Sequence, residues 1–268
     1  MTRIFAGILT LALAAAAGRA SAAERIEDAR IAPLFQKHGV TGVLVLYDPA
    51  TDRYHSNNFD RAEKAFLPAS TFKIPHAIIA LETGAVANSS EVIEWDGKAR
   101  GWDKWDRDQT LASAVKYSAV WAFQVIARRI GPERMAEWVD RLGYGNRDIS
   151  GDIESFWLDG ALRVTALEQI AFLRRLHDGA LPASSDIQAE VRRLLIAEST
   201  EHYVLRGKTG WAEHPDPDLG WYVGWIETPS KTMFFALNLD MPDPRRDRHA
   251  RLRIAREGLA LFSFETAP

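Results

Sequence analysis

A serine and a lysine lie three residues apart in the stretch Pro68-Ala69-Ser70-Thr71-Phe72-Lys73-Ile74-Pro75. Apolar residues then recur at helical spacing, so the stretch is predicted to open a helix that ends at Gly84. Residues three apart share one face of a helix, which would bring the Ser70 hydroxyl to the Lys73 amine. A serine is a good nucleophile only beside a base, and a lysine can be that base only if burial lowers its pKa. The stretch therefore predicts an activated serine.

The Ser-x-x-Lys spacing alone is weak evidence, because a chain of this size contains roughly one such pair by chance. A second pair indeed occurs at Ser113 and Lys116. The first pair follows a Pro-Ala entry and opens a predicted helix, whereas the second lies inside a run. We therefore favour Ser70 and Lys73, provided that the rest of the chain supplies partners for them.

Length, charge and composition exclude several classes of protein. The chain has 268 residues, a net charge of −3 and no cysteine. This length suits one large domain or two subdomains, and neither the charge nor the spacing of the aromatic residues indicates nucleic-acid binding. Without cysteine there is neither a disulfide nor a thiol nucleophile. The seven histidines show no metal-ligand spacing and there is no Gly-x-Ser-x-Gly motif, so we expect neither a bound metal nor a Ser-His-Asp triad.

Residues 1–22 have the pattern of a secretory signal. Arg3 gives a positive start, an apolar run follows, and Ala20-Ser21-Ala22 is a small-residue cleavage site. Arg19 interrupts the run too early for a membrane-spanning helix. We expect residues 23–268 to form a single domain, exported to the periplasm and without stable membrane association.

The two ends of the remaining chain show strand patterns, and helical patterns fill the middle. An N-terminal helix is predicted over Glu24 to His38, and another over Ser184 to Ala197. A closing helix is predicted over Arg248 to Phe264. The predicted strands are Thr41 to Tyr47, Arg53 to Asn57, Tyr203 to Gly210, Gly220 to Thr228 and Lys231 to Asp240. This order predicts an α+β fold whose largely antiparallel sheet joins both ends of the chain, with a helical subdomain inserted at roughly residues 85–195.

Three motifs in order connect the chain to a known family. They are Ser70-x-x-Lys73, then Ser118-Ala119-Val120, then Lys208-Thr209-Gly210 on a predicted strand. The first and last are marks of serine β-lactamases and penicillin-binding proteins. The middle motif is Ser-x-Val rather than Ser-Asp-Asn, and Tyr144-Gly145-Asn146 and Phe156-Trp157-Leu158 follow it. The combination resembles the class D (oxacillinase-type) β-lactamases over nearly the whole mature chain. The resemblance implies a β-lactamase/penicillin-binding-protein-like fold, with an antiparallel sheet flanked by helices and an inserted helical subdomain.

The resemblance also implies the roles of single residues. Ser70 would attack the lactam carbonyl, and Lys73 would react with carbon dioxide to form a carbamate that serves as general base. Trp157 would donate its indole N–H to that carbamate, and Ser118 would relay a proton to the lactam nitrogen. No other cofactor is implied. The residues implied to line the substrate site are Val120, Leu158, Lys208, Thr209, Gly210 and Trp211.

The arginine that would hold the substrate carboxylate stays open between two positions. Counting back from the closing helix favours Arg251, but Arg248 lies one turn away. The segment Trp211 to Asp218 is expected to shape substrate preference. Glu168 invites comparison with an acidic deacylation base. It lies at a predicted helix start, however, where a negative side chain stabilises the helix through its dipole.

The expected activity is hydrolysis of a small-molecule β-lactam by a monomer or homodimer. One alternative is a β-lactam sensor domain, which becomes acylated and stays so. The other is a cell-wall peptidase, which the apolar Val120 disfavours because a polar residue is expected there.

Overall fold

The computed structural model describes residues 23–213, 216–264 and 266. The main element is a seven-stranded sheet in which β1 runs parallel to β3 and all other neighbours are antiparallel. In spatial order its strands are β1 (Glu24–Glu27), β3 (Arg53–Ser56), β2 (Gly42–Asp48), β9 (Thr232–Met241), β8 (Asp218–Glu227), β7 (Val204–Ala212) and β6 (Ile196–Ser199). Strands β4 (Val92–Ile93) and β5 (Gln109–Thr110) form a separate small pair.

Helices cover both faces of the sheet and build the inserted part. They are α1 (Ala32–His38), α2 (Phe59–Glu63), α3 (Lys73–Glu82), α4 (Leu111–Tyr117), α5 (Val120–Ile130), α6 (Pro132–Leu142), α7 (Ala166–His177), α8 (Ser185–Leu194), α9 (Pro244–Asp247) and α10 (Ala250–Ala260). A 3₁₀ turn over Ala69–Phe72 precedes α3. The predicted α+β fold with a largely antiparallel sheet and an inserted helical part is confirmed.

Strand β2 is apolar on both sides because it separates two hydrophobic cores. Val43 and Val45 point into the larger core, which the helical part shares, while Leu44 and Leu46 point into a core beneath α1 and α10. This is the alternation that a strand imposes on successive side chains. Helix α10 approaches β2 so closely that a Cβ on Gly258 would lie 2.3 Å from the Leu44 side chain.

Three predicted elements differ from those observed. Residues 24–27 form an edge strand rather than the start of a helix, because they pair in parallel with β3, a partner that local periodicity does not show. The helix predicted over Ser184 to Ala197 ends at Leu194, since the residues after it pair with β7 as β6. The closing helix predicted over Arg248 to Phe264 is shorter in the structure, where it is α10 over Ala250–Ala260, and a separate short helix, α9, precedes it.

Helix α3 lies at the centre of the molecule. Every residue from Lys73 to Ala80 is buried, and the helix contacts α4, α5, α6 and α8. It ends as predicted, with Gly84 in the left-handed region at φ +66°. The 3₁₀ turn before it contacts β7, so the Ser-x-x-Lys stretch lies where the sheet meets the helical part. Within the residues that the structure describes, no helix is long and apolar enough to span a membrane.

Candidate active site

The Ser70 and Lys73 side chains contact each other across the junction of the 3₁₀ turn and α3. Ser70 lies inside the turn, and Lys73 is the first residue of the α-helix, so the stretch opens a helix as predicted and Pro75 lies in its first turn. Side chains three apart eclipse in a 3₁₀ turn, which favours their contact even more than an α-helix does. The Lys73 Nζ lies 2.9 Å from the Ser70 Oγ.

The backbone on both sides of Ser70 is held by distant residues. Ala69 adopts φ +47°, a conformation that an alanine rarely takes. Its N–H donates to the Trp157 carbonyl oxygen at 2.9 Å. The Thr71 hydroxyl donates to the Pro68 carbonyl at 2.6 Å and accepts from the Gln169 amide at 2.8 Å. These contacts hold a strained turn in one conformation.

Lys73 is completely buried in an aromatic pocket. Its Nζ lies 5.2 Å from the centroid of the Phe123 ring. Burial holds the pKa of Lys73 well below its usual value, and the nearby Lys208 cation lowers it further. No acidic side chain among the described residues forms an ion pair with Lys73. Both causes favour the neutral amine, which is the form that can accept a proton.

The pocket around Lys73 has aromatic walls. Trp157 is fully buried and stacks on Phe72 with ring centroids 5.9 Å apart. Its indole Nε1 has no hydrogen-bond partner in the described part of the chain. His76 lies edge-on to Trp157 at 5.2 Å and is also completely buried. Sequence analysis did not single out His76, although its place three residues after Lys73 on a predicted helix was a usable signal.

Ser118 connects the helical part to the sheet. It lies between α4 and α5 in the left-handed conformation, at φ 58° and ψ 33°, and it ends α4. Ser118 does not cap the start of α5, because Ala119 occupies that position. Its Oγ accepts a hydrogen bond from the Lys208 Nζ at 2.9 Å. Burial lowers the pKa of Lys208 to about 7, with a further contribution from the Arg251 cation.

The Lys208-Thr209-Gly210 motif lies on β7, facing the 3₁₀ turn. A Cβ on Gly210 would lie 3.1 Å from the Pro68 carbonyl oxygen, so the strand needs a glycine at this close approach. Trp211 follows on the same strand, and its indole N–H donates to the Asp218 carboxylate at 2.7 Å.

The structure distinguishes the two arginine candidates. Arg251, on α10, is 8% exposed, and its guanidinium donates to the carbonyl oxygens of Gly210 and Arg248. Burial lowers the pKa of Arg251 to about 10, and Arg248 adds to this effect. The Arg248 side chain instead donates to His249 at 3.2 Å. Arg251 is thus the candidate that contacts the motif strand.

The remaining residues predicted to line the substrate site lie outside the motif strand. Val120 is the first residue of α5 and is half-buried. Leu158 follows Trp157 and packs against the larger core. Strand β7 extends to Ala212 and β8 begins at Asp218, so the loop between them is shorter than predicted, and residues 214 and 215 lie outside the described residues.

Two residues that resemble site residues have structural roles instead. The Ser113 Oγ accepts from the Thr110 N–H at 2.8 Å and donates to the Gln109 amide oxygen at 2.8 Å, in a capping box at the start of α4. Glu168 forms the corresponding capping box with Thr165 at the start of α7. Both capping boxes satisfy backbone N–H groups at helix starts.

Similarity to known proteins agrees with this geometry. Residues 42–260 match the family model described as the penicillin binding protein transpeptidase domain. The chain is 45% identical over 208 residues to beta-lactamase OXA-48 of Klebsiella pneumoniae, covering 78% of each chain. It is 43% identical over 210 residues to beta-lactamase OXA-10 of Pseudomonas aeruginosa, covering 77% of this chain and 79% of that one.

Solved structures show the same relationship. The class D β-lactamase YbXI from Nostoc superposes with a TM-score of 0.85 at 39% identity, covering 88% of this chain and 99% of that one. The class D β-lactamase FUS-1 from Fusobacterium nucleatum gives 0.85 at 38% identity, with 88% and 98% covered. The fold and the serine–lysine pair define a protein of the transpeptidase class. Within that class, the chain belongs to the class D β-lactamase family.

Proposed function

We propose that this chain hydrolyses β-lactams through an acyl-enzyme on Ser70. The observation that carries the proposal is the 2.9 Å contact between the Ser70 hydroxyl and the Lys73 amine, whose burial lowers its pKa and so favours its neutral form. A serine beside a neutral base, in a fold whose relatives are named β-lactamases, is the arrangement that acyl transfer requires.

In acylation, the Ser70 oxygen forms a bond to the lactam carbonyl carbon as its proton leaves towards Lys73. The backbone N–H groups of Ser70 and Trp211 are proposed to stabilise the oxyanion, an interaction typically worth about 3 kcal/mol per donor. The ring C–N bond then breaks, and Ser118 relays the proton taken up at Lys73 to the leaving nitrogen, so that the Ser118 hydroxyl and the Lys73 amine are both restored. The Lys208 ammonium, which already donates to Ser118, supports this step because it disfavours a proton remaining on the hydroxyl.

Deacylation needs a base that activates water beside the ester. Lys73 and Trp157 fit a carbamate there, because burial lowers the pKa of the amine towards its neutral form and the buried indole N–H lacks an acceptor among the described residues. The carbamate formed with carbon dioxide would supply a general base next to Ser70, and the Trp157 N–H would hold one of its oxygens. Val120 provides the apolar wall that keeps this region dry, and Leu158 lies beside Trp157.

The substrate carboxylate is proposed to bind between the motif strand and α10. Lys208 and Arg251 provide two positive charges within this part of the site, and the Thr209 hydroxyl adds a donor. Arg251 is favoured over Arg248 by its hydrogen bond to the Gly210 carbonyl. The substrate class is therefore a β-lactam that carries an anionic group near its lactam nitrogen.

The location is proposed to be the periplasm, after removal of residues 1–22, which have the composition of a signal peptide. The oligomeric state, a monomer or a homodimer, stays a prediction.

Steady-state hydrolysis of benzylpenicillin tests the role of Ser70. Wild-type protein should open the lactam ring catalytically, and Ser70→Ala should lose both turnover and covalent labelling by the drug while it keeps the wild-type fold. Labelling of Ser70→Ala at another serine would overturn the assignment of the nucleophile.

A further inference from the structure

His76 lies one turn beyond Lys73 on the same face of α3. Helical side chains lean towards the N-terminus, so the imidazole is directed back towards Lys73. Its ring centroid is 5.0 Å from Phe123, 5.2 Å from Trp157 and 5.5 Å from Phe72. Phe123 is also the ring that the Lys73 amine faces. The histidine, the lysine and the indole therefore lie in one buried aromatic cluster.

Neither imidazole nitrogen of His76 has a hydrogen-bond partner within the described chain. Burial lowers the pKa of His76 to about 3, and the neighbouring Lys73 adds to this effect, so the ring is neutral at neutral pH. A neutral imidazole has one N–H donor and one acceptor nitrogen, and buried polar groups in folded proteins almost always find partners.

The Trp157 Nε1 is in the same situation as the two imidazole nitrogens. Three ring nitrogens without partners in the described chain thus belong to two rings that pack against each other and, at His76, against the ring that the buried amine faces. At least two of them carry N–H groups, and no carboxylate of the described residues bonds to any of them. Such a set of donors suits a small anionic group with several oxygen acceptors.

We propose that His76 is a positioning residue for the carbamate of Lys73. Its ring supports the Trp157 indole edge-on, and its N–H donates to a carbamate oxygen, directly or through one buried water. The inference rests on the proposed function, because it presumes that Lys73 reacts with carbon dioxide. Its consequence is that the protein holds its carbamate at lower bicarbonate concentration than it would without His76.

The test is a titration of the mature protein with ¹³C-labelled bicarbonate, in which the carbamate resonance is followed by ¹³C NMR. His76→Phe keeps a ring among the three aromatic neighbours but removes both nitrogens. It should raise the half-saturating bicarbonate concentration by about tenfold, the loss expected for a hydrogen bond to a charged group. His76→Asn, which keeps a donor, should lie nearer the wild type. His55→Phe is the matched control. That histidine packs on Phe262 away from the site, so its replacement should leave the half-saturating bicarbonate concentration unchanged.

A half-saturating concentration for His76→Phe within about twofold of the wild type would overturn the inference. If His76→Phe does not fold, a crystal structure of the wild-type protein grown with bicarbonate decides. A ring nitrogen about 3 Å from a carbamate oxygen, or joined to it by one water, supports the inference. A structure that shows neither of these contacts overturns it. Absence of any carbamate signal from wild-type protein that hydrolyses benzylpenicillin would overturn this inference and the proposed base together. If the wild-type protein gives a carbamate signal and His76→Phe leaves the half-saturating bicarbonate concentration unchanged, this inference alone is overturned.

Discussion

At the scale of single residues, burial rather than ion pairing gives the site its chemistry. Lys73 and Lys208 are both lysines inside the protein, and burial is the largest cause of the lowered pKa of each. The two lysines differ in what surrounds them. Lys73 faces aromatic rings and a serine, which suits a base, whereas Lys208 lies next to Arg251 at the edge where an anion would bind.

The unpartnered indole of Trp157 leads to the first prediction. Trp157→Phe keeps an aromatic ring against Phe72 but removes the N–H, so the Lys73 carbamate should bind its carbon dioxide about tenfold to a hundredfold more weakly. Turnover of benzylpenicillin without added bicarbonate should fall, and added bicarbonate should restore part of it. The comparison is Trp225→Phe, since Trp225 is equally buried on β8 and its Nε1 also lacks a partner in the described part of the chain. Equal bicarbonate dependence in the two variants would contradict the role of Trp157.

The lowered pKa of Lys208 leads to a pH prediction. The group is charged below about pH 7 and neutral above it, so attraction of an anionic substrate is present below that pH and is lost as the pH rises through it. At saturating bicarbonate, kcat/KM for benzylpenicillin should fall by about tenfold between pH 7 and pH 8.5, because this ratio reports groups of the free enzyme. Lys208→Arg, which stays charged, should flatten this part of the profile. A wild-type profile that stays level up to pH 9 would show that Lys208 remains charged in the free enzyme.

At the scale of elements, local spacing reveals contacts within one turn but not those between distant elements. The contact of Ser70 with Lys73 follows from their spacing. The hydrogen bond between Ser118 and Lys208 joins residues 90 positions apart and required the resemblance to a known family. Likewise, β1 was predicted as helix because its partner strand lies on another part of the chain.

Helix capping explains why the second Ser-x-x-Lys pair is inert. The Ser113 hydroxyl is occupied by the backbone of Thr110 and the side chain of Gln109 at the start of α4. Ser113→Ala should therefore lower the free energy of unfolding by about 1 kcal/mol. Thermal or denaturant unfolding measures this loss, and the acylation rate by benzylpenicillin should stay at its wild-type value. Loss of acylation at unchanged stability would assign Ser113 a part in the chemistry.

At the scale of the whole molecule, the site is formed where the sheet meets the inserted helices. Ser70 and Lys73 come from the turn and helix at the centre, Ser118 from the helical part, and Lys208 from β7. The order of strands and helices predicted this meeting in outline. The resemblance to a known family implied that Trp157 lies near Lys73, but the Phe123 wall was not predictable, because Phe123 lies 50 positions further along the chain and periodicity shows only that it is buried. The spacing of His76 from Lys73 could be read from the sequence, but its enclosure by rings from distant elements could not.

The central claim is that Ser70 is acylated and then released by water, with Lys73 carbamylated as the base. The most direct measurement is a time course of the intact mass of the mature protein mixed with benzylpenicillin, with and without bicarbonate. We expect an adduct on Ser70 that appears and disappears while hydrolysed drug accumulates, faster when bicarbonate is present. An adduct that forms once and persists in both conditions would contradict hydrolysis and identify a sensor or a slow penicillin-binding protein instead.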